Sequence, residues 1–302
     1  MSSYPSLAEF LASAPASAGM PAWCPPGALP PAGLDAPATR ARIDDVIDSV
    51  IELQRAEWLH DGVFVGPSTM PEIYKTVLYT SQRLGVPSPP AMVSGASTSS
   101  QGIFGTDGRS FLHLSTSFFG PASELEQRFM AGRFCGLAAA RLVTPHTLYA
   151  LIADHGGLRQ VARAGVGPLL EVVLAPFSLG MRLVLSRWHR YAEVAADRAG
   201  LIVADDLNAA GSALLRIALG GDRGVDPAAY LAQLDALRAD LSPGRFTQLL
   251  ADQPFTHKRL RALSLFHRSE AFAEAGGRAA PGPLLSREAL ETETSRVLGV
   301  LA

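Results

Sequence analysis

Two carboxylates stand one helical turn apart in residues 190–201, RYAEVAADRAGL: Glu193 and Asp197, separated only by Val194, Ala195 and Ala196. Like charges at i and i+4 repel and weaken a helix by roughly a few tenths of a kcal/mol. Their placement asks either for water around both or for a positive charge between them. A zinc ion is one such charge, and carboxylates and imidazoles are among its usual ligands. A zinc site also needs further ligands that converge on the same point.

The seven histidines, His60, His113, His146, His155, His189, His257 and His267, supply no ready pair. No two lie four residues apart, so HExxH and its inverted form are absent. That motif works because the i, i+4 spacing puts both imidazoles on one helix face, with the Glu as base toward metal-bound water. A site built from distant histidines stays open, with His146, His155 and His189 as displaced candidates beside Glu193. Other mechanisms leave fewer traces. There is no GxxxxGK[ST] phosphate loop and no GxSxG nucleophile elbow, and Gly165-Val166-Gly167 lacks a third glycine and a preceding strand. Cys24 and Cys135 have no paired spacing, which argues against a disulfide framework and fits a reducing compartment. Cys135 lies in an apolar helix and reads as a packed thiol.

The acids need elements to hold them. They fall in a helix expected from Trp188 to about Leu219, stopped by Gly220-Gly221. Upstream, ASELEQRFMAGRFCGLAAARLV starts at Ala122. Its Ser123 and Glu126 form a capping box: the hydroxyl caps an early amide and the carboxylate reaches back. The second half of this helix carries only Arg133 and Arg141 as charges, the mark of burial. Before it, two apolar runs flank Thr106-Asp107-Gly108-Arg109, and an Asp-Gly pair in that setting signals a β-hairpin. Ala91 to Ser94 reads as a short strand. Ile43, Val46, Ile47, Val50, Ile51 and Leu53 recur at helical spacing, ending near Trp58. A second helix is expected from Pro71 to Arg83, stopped at Gly85. The C-terminal part reads as helical to about residue 275 with breaks near Pro227, Pro243 and Pro254, then a loop over 276–283 and a short closing helix. Helices, a small hairpin sheet, then many helices predict a mostly helical α+β domain.

The chain of 302 residues is 48% hydrophobic and 18% charged, enough for a sizeable core. A net charge of −2 gives no electrostatic reason to bind nucleic acid. Residues 14–38 are rich in Pro, Ala and Gly, so 1–38 is expected to be an extension and 39–302 a single domain. The first residues lack a basic n-region and a long apolar core and do not read as a signal peptide, which points to the cytoplasm. Residues 165–185, GVGPLLEVVLAPFSLGMRLVL, have the length of a bilayer span but carry Glu171, Arg182, Pro168 and Pro176. Charges are costly at mid-bilayer. A helical pair broken near Pro176 is expected, and a peripheral membrane contact stays open.

The order of parts resembles the HtpX-like and CAAX-prenyl-protease-like zinc peptidases, metallopeptidase family forty-eight, of the gluzincin type. In that family a hairpin precedes a helix bearing HExxH, an apolar stretch follows, and a second long helix brings ExxxD. The run from Arg190 to Leu201 looks very like that ExxxD helix, including Arg-Ala-Gly-Leu after the Asp. Phe255-Thr256-His257-Lys258-Arg259-Leu260-Arg261-Ala262-Leu263 is similar to the family's closing segment, although its His-Pro order is not kept. The resemblance covers roughly residues 75–270.

It breaks at the catalytic helix. The HExGH positions fall on Arg133, Phe134, Cys135, Gly136 and Leu137, and only Gly136 survives. Arginine is donor-only and leucine has no lone pair, so neither can ligate a metal, and Phe134 replaces the base. The family's zinc–water mechanism is thereby removed. In the family fold Glu193 would lie opposite the first-histidine position, so Arg133 is expected to bridge Glu193 and Asp197 where the metal would stand. The competing expectation leaves both acids in water beside Arg187, Arg190 and Arg198.

What the resemblance implies is a catalytically degenerate peptidase-like protein with no metal or other cofactor and no catalytic residues. It would act by binding a protein or peptide, for instance along the hairpin edge strand. Two other classes stand beside it: an active zinc-dependent metalloendopeptidase with non-standard ligands, and a purely structural helical domain.

Overall fold

The computed structural model describes residues 20–31, 33–34, 36–60, 62–95, 101–153, 179–220, 225–237, 256–279 and 281–299. After a 3-10 turn at Pro26–Ala28 the elements follow as α1 (Pro37–His60), β1 (Gly62–Phe64), α2 (Pro71–Leu84), β2 (Ala91–Ser94), β3 (Gly102–Thr106) and β4 (Arg109–Ser115). Next come α3 (Thr116–Phe119), α4 (Glu124–Ala139), α5 (Val143–Ala153), α6 (Leu179–Ala204), α7 (Leu207–Ala218) and α8 (Pro227–Leu237). The last are α9 (Thr256–His267), α10 (Glu270–Glu274) and α11 (Arg287–Leu298). The architecture is α+β and mostly helical, with one four-stranded sheet.

The sheet order is β1-β2-β4-β3, with β2 and β4 parallel and the other pairs antiparallel. The hairpin pairs Thr106 with Arg109 across Asp107-Gly108, the turn chemistry read from the sequence. Gly105 has a φ of 112°, and a Cβ there would stand 2.1 Å from the Arg109 carbonyl oxygen, so only glycine fits. β1 was not legible in the sequence, because three residues are too few to show alternation. It adds an antiparallel edge to β2, whose parallel pairing with β4 makes the sheet mixed. On the covered side, α1 and α5 pack on β3. Inside, Trp58 stacks on the buried His113 ring at 4.1 Å, and the Ser94 hydroxyl meets His113 Nε2 at 2.8 Å.

The hairpin also starts a helix. The Asp107 carboxylate accepts from the Val143 amide at 2.8 Å, satisfying a first-turn donor of α5. Arg40 of α1 donates to the same carboxylate, and the Thr144 hydroxyl donates to Asp44 at 2.9 Å. Burial pushes the Asp107 carboxyl up, against Arg40 and the two amide-side contacts that favour its charge. One turn residue, Asp107, thus ties the start of α5 to the hairpin and to α1.

α4 and α6 form the centre of the helical part. Their seam is lined by glycine and alanine. A Cβ on Gly136 would stand 2.2 Å from the Ala199 Cβ, and one on Gly200 would stand 2.7 Å from the Phe129 carbonyl oxygen. The backbones therefore approach more closely than larger side chains permit. The capping box at the start of α4 forms: Glu126 Oε2 accepts from the Ser123 amide at 2.7 Å and Ser123 Oγ accepts from the Glu126 amide at 3.3 Å.

Two expectations change. The helix expected over Trp188 to Leu219 starts earlier, at Leu179, and breaks after Ala204. Asp205 turns into the left-handed region (φ 51°), and Asp206 caps α7 by accepting from the Ala209 amide at 2.8 Å. Two consecutive aspartates outweigh the apolar periodicity that runs through them. The Pro-rich stretch also docks in its described part. Ala28 and Leu34 are buried, the Trp188 indole donates to the Ala28 carbonyl at 2.8 Å, and Gly27 lies against the Tyr191 ring.

No helix among the described residues is long and apolar enough to cross a membrane. Of the 165–185 segment, residues 165–178 lie outside the described residues, as do His155, Pro243 and Pro254.

Candidate functional site

Glu193 and Asp197 share one face of α6, and neither is solvated: Glu193 is 5% exposed and Asp197 1%. The seam places Arg133 of α4 opposite them. Arg133 Nη2 donates to Glu193 Oε2 at 2.6 Å, and its Nε donates to Asp197 Oδ1 at 2.6 Å. A second guanidinium arrives from α9. Arg259 Nε donates to Asp197 Oδ2 at 2.8 Å and Nη2 to Oδ1 at 2.6 Å, the two-pronged geometry that suits a carboxylate. Its Nη2 also lies 3.4 Å from Glu193 Oε2. Two buried positive charges thus face two buried negative ones.

The local arginines have other work. Arg198, fully buried, donates to Glu291 at 2.7 Å, to the Thr294 hydroxyl at 2.9 Å and to the Trp23 carbonyl at 3.1 Å, tying α6 to α11 and the N-terminal stretch. The expectation of two acids in water beside Arg187, Arg190 and Arg198 is therefore corrected. The cause is the close α4–α6 seam, which excludes water from that face.

The remaining residues of the degenerate motif are structural in their surroundings. The Phe134 ring centroid lies 5.9 Å from the Arg133 guanidinium carbon. Leu137 is in the core, and Gly136 makes the close approach to Ala199. Burial pushes the Cys135 thiol up to about 12, so it holds no thiolate near neutral pH.

Glu193 divides its two oxygens between two neighbourhoods. Oε2 meets the guanidinia. Oε1 faces two imidazoles: His146 Nε2 on α5 at 3.5 Å and His189 Nε2, one turn earlier on α6, at 3.9 Å. Tyr149 stacks on the His189 ring at 4.2 Å, and its hydroxyl meets Ser186 Oγ at 3.2 Å. Nδ1 of both histidines is buried with no hydrogen-bond partner among the described residues. Burial alone would raise the Glu193 carboxyl, but the Arg133 guanidinium, the His146 hydrogen bond, Arg259 and His189 together hold it well below the usual carboxylate range. Burial pushes the His189 imidazole down to about 3, against the pull of Glu193 and aided by His146 and the two arginines. The result is an ionised carboxylate beside a neutral imidazole.

Arg259 is what residue-by-residue reading misses, whereas two of the three displaced histidine candidates, His146 and His189, do meet Glu193. One signal was present: Arg259 sits in the closing segment that resembles the peptidase family, among leucines and alanines that mark a buried face.

A second buried pair lies at the start of α4. Arg216 of α7 donates from Nη2 to Glu126 Oε1 at 3.0 Å and to Oε2 at 3.3 Å. Compared with known proteins, the chain matches no family model, no curated protein and no solved structure.

Proposed function

We propose that this chain is a catalytically degenerate metallopeptidase-like protein of the gluzincin type, which acts by binding a protein or peptide in a regulatory or scaffolding role. The observation that carries the reading is the position of Arg133. It contacts both acids of the ExxxD-like helix from the helix aligned with HExxH, at the place of the first histidine in that alignment. A guanidinium there supplies the charge that a metal supplies in an active peptidase, but it has no lone pair and cannot activate water. Phe134, at the position of the general base, cannot take a proton. Asp197 has both oxygens engaged by arginines, so it is not free to act as a base either.

The partner contact is assigned to an open part of the sheet. β3 is packed by α1 and α5, whereas β1 is the other edge and exposes Val63 and Phe64. An extended peptide adding to β1 would gain main-chain hydrogen bonds and cover both side chains.

The test is hydrolysis. Full-length protein supplied with zinc is incubated with unfolded casein and with quenched fluorescent peptides, alongside Glu193→Gln. No cleavage above the Glu193→Gln background is expected. Cleavage that is lost both in that variant and on chelation overturns the reading in favour of an active zinc endopeptidase.

A further inference from the structure

We propose that Glu193 Oε1, His146 and His189 form a binding site for one divalent transition-metal ion, zinc by its ligand chemistry, which cross-links α5 to α6. The inference does not rest on the resemblance to peptidases, and the site is displaced from the HExxH-aligned positions.

The geometry is close to that of a bound ion. One ligand atom from each residue lies within 4.8 Å of the other two. The Nε2 atoms of His146 and His189 stand 3.5 and 3.9 Å from Glu193 Oε1. Ligands held at about 2.0–2.1 Å by tetrahedral zinc lie about 3.3 Å from one another, so the two distances to Glu193 Oε1 need to shorten by only about half an ångström. His189 and Glu193 are i and i+4 on α6, which puts them on one face of a rigid helix. His146 comes from α5, whose first turn is anchored by Asp107. All three ligands are thus held by helices rather than loops.

Two further observations point to an occupant. First, the carboxylate is already divided: Oε2 accepts from Arg133, and Oε1 is left to the imidazoles. A metal carboxylate commonly binds through one oxygen while the other is held by hydrogen bonds. Second, imidazoles from two different helices turn their Nε2 atoms toward that one oxygen, the convergence that a shared ion requires. Both Nδ1 atoms are buried without a partner among the described residues, so no second hydrogen bond has to break for either ring to shift onto the ion.

Ligand type and charge select the ion. Two imidazoles and one carboxylate suit zinc and its transition-metal neighbours, whereas calcium and magnesium need oxygen ligands. Arg133 and Arg259 balance Glu193 and Asp197, so the surroundings add no net negative charge to attract a cation. Affinity must come from the imidazole bonds, which again favours transition metals. With Glu193 as ligand and Asp197 locked by two arginines, no carboxylate among the described residues is left beside the site as a base. The ion therefore fastens two helices and does not hydrolyse substrate.

The test uses full-length protein stripped by a chelator, then dialysed against zinc and analysed for bound metal. One zinc per chain is expected, with a zinc-dependent rise in unfolding temperature. Cobalt in its place should give the visible absorption of a tetrahedral site. His146→Ala and His189→Gln should each weaken zinc binding by about 100-fold or more and abolish the thermal rise. His146→Ala, at the more exposed ligand, should keep the metal-free circular dichroism spectrum and so separate lost ligation from lost folding. Zinc absent from the wild type, or bound equally by both variants, overturns the proposal. Hydrolysis measured on the same zinc-loaded sample distinguishes the two readings. Zinc without cleavage agrees with both, cleavage overturns only the non-catalytic reading, and no zinc overturns only the metal site.

Discussion

α4 carries two buried arginine–carboxylate sites, one at its start and one in its middle, and they are built to different ends. At the start, Glu126 closes the capping box, accepts the Ser123 amide and receives Arg216, so one carboxylate does two structural jobs with one cation. In the middle, Arg133 and Arg259 grip two carboxylates, and two imidazoles lie beside them with their Nδ1 atoms unpartnered among the described residues. The first site has no capacity to spare. The second has two imidazoles facing one carboxylate oxygen, a surplus beyond the ion pair itself. That surplus separates a fold-holding ion pair from a site with chemistry left in it. Burying either pair is expensive, and neither need stabilise the fold relative to apolar packing.

The contrast can be broken by removing one arginine from each site. Arg133→Ala should cost about 3–5 kcal/mol in urea unfolding, because in a dry seam it takes the nearest cation from Glu193 and leaves Arg259 alone to balance two carboxylates. Arg216→Ala should cost less, about 1–3 kcal/mol, because Glu126 keeps the Ser123 amide as a partner. Equal costs would mean that the middle site is no more demanding than the cap.

Acid sharpens the contrast with a smaller effect. The His189 imidazole titrates at about 3 when folded and near 6.5 when unfolded, so the unfolded chain binds the extra proton between those values. Its contribution to stability is whole above pH 6.5 and is lost as pH falls toward 3, at about 1.4 kcal/mol per pH unit. In metal-free protein followed from pH 6.5 to 5, His189→Phe should show a slope shallower by about that amount. An identical slope would show that His189 is not kept neutral by burial.

Local chemistry was legible in the sequence where it is settled within a few residues. Asp107-Gly108 marked the hairpin, Ser123 with Glu126 marked the start of α4, and Gly85 marked the end of α2, each through a backbone rule with a short reach. The Glu193–Asp197 spacing raised the correct question about a missing cation. The answer lay elsewhere in the chain. Arg133 was reached only through an alignment of helices, and Arg259, 62 residues beyond Asp197, carries no local sign of its partner. The break at Asp205 was hidden by apolar residues on both sides. The role of Asp107 in starting α5 is a tertiary hydrogen bond that no spacing encodes. What reads from sequence is periodicity and turn chemistry. What does not is which buried charge meets which.

The most direct test of whether a guanidinium holds these acids is a double-mutant cycle on chelator-treated protein, with Arg133→Met, Glu193→Gln and the pair followed by urea unfolding. Metal-free wild type should unfold cooperatively, and the two substitutions should be coupled by about 1–3 kcal/mol, the double variant losing less than the sum of the singles. Additive losses, or a wild-type chain that is unfolded without metal, would contradict the claim that Arg133 supplies the positive charge between α4 and α6.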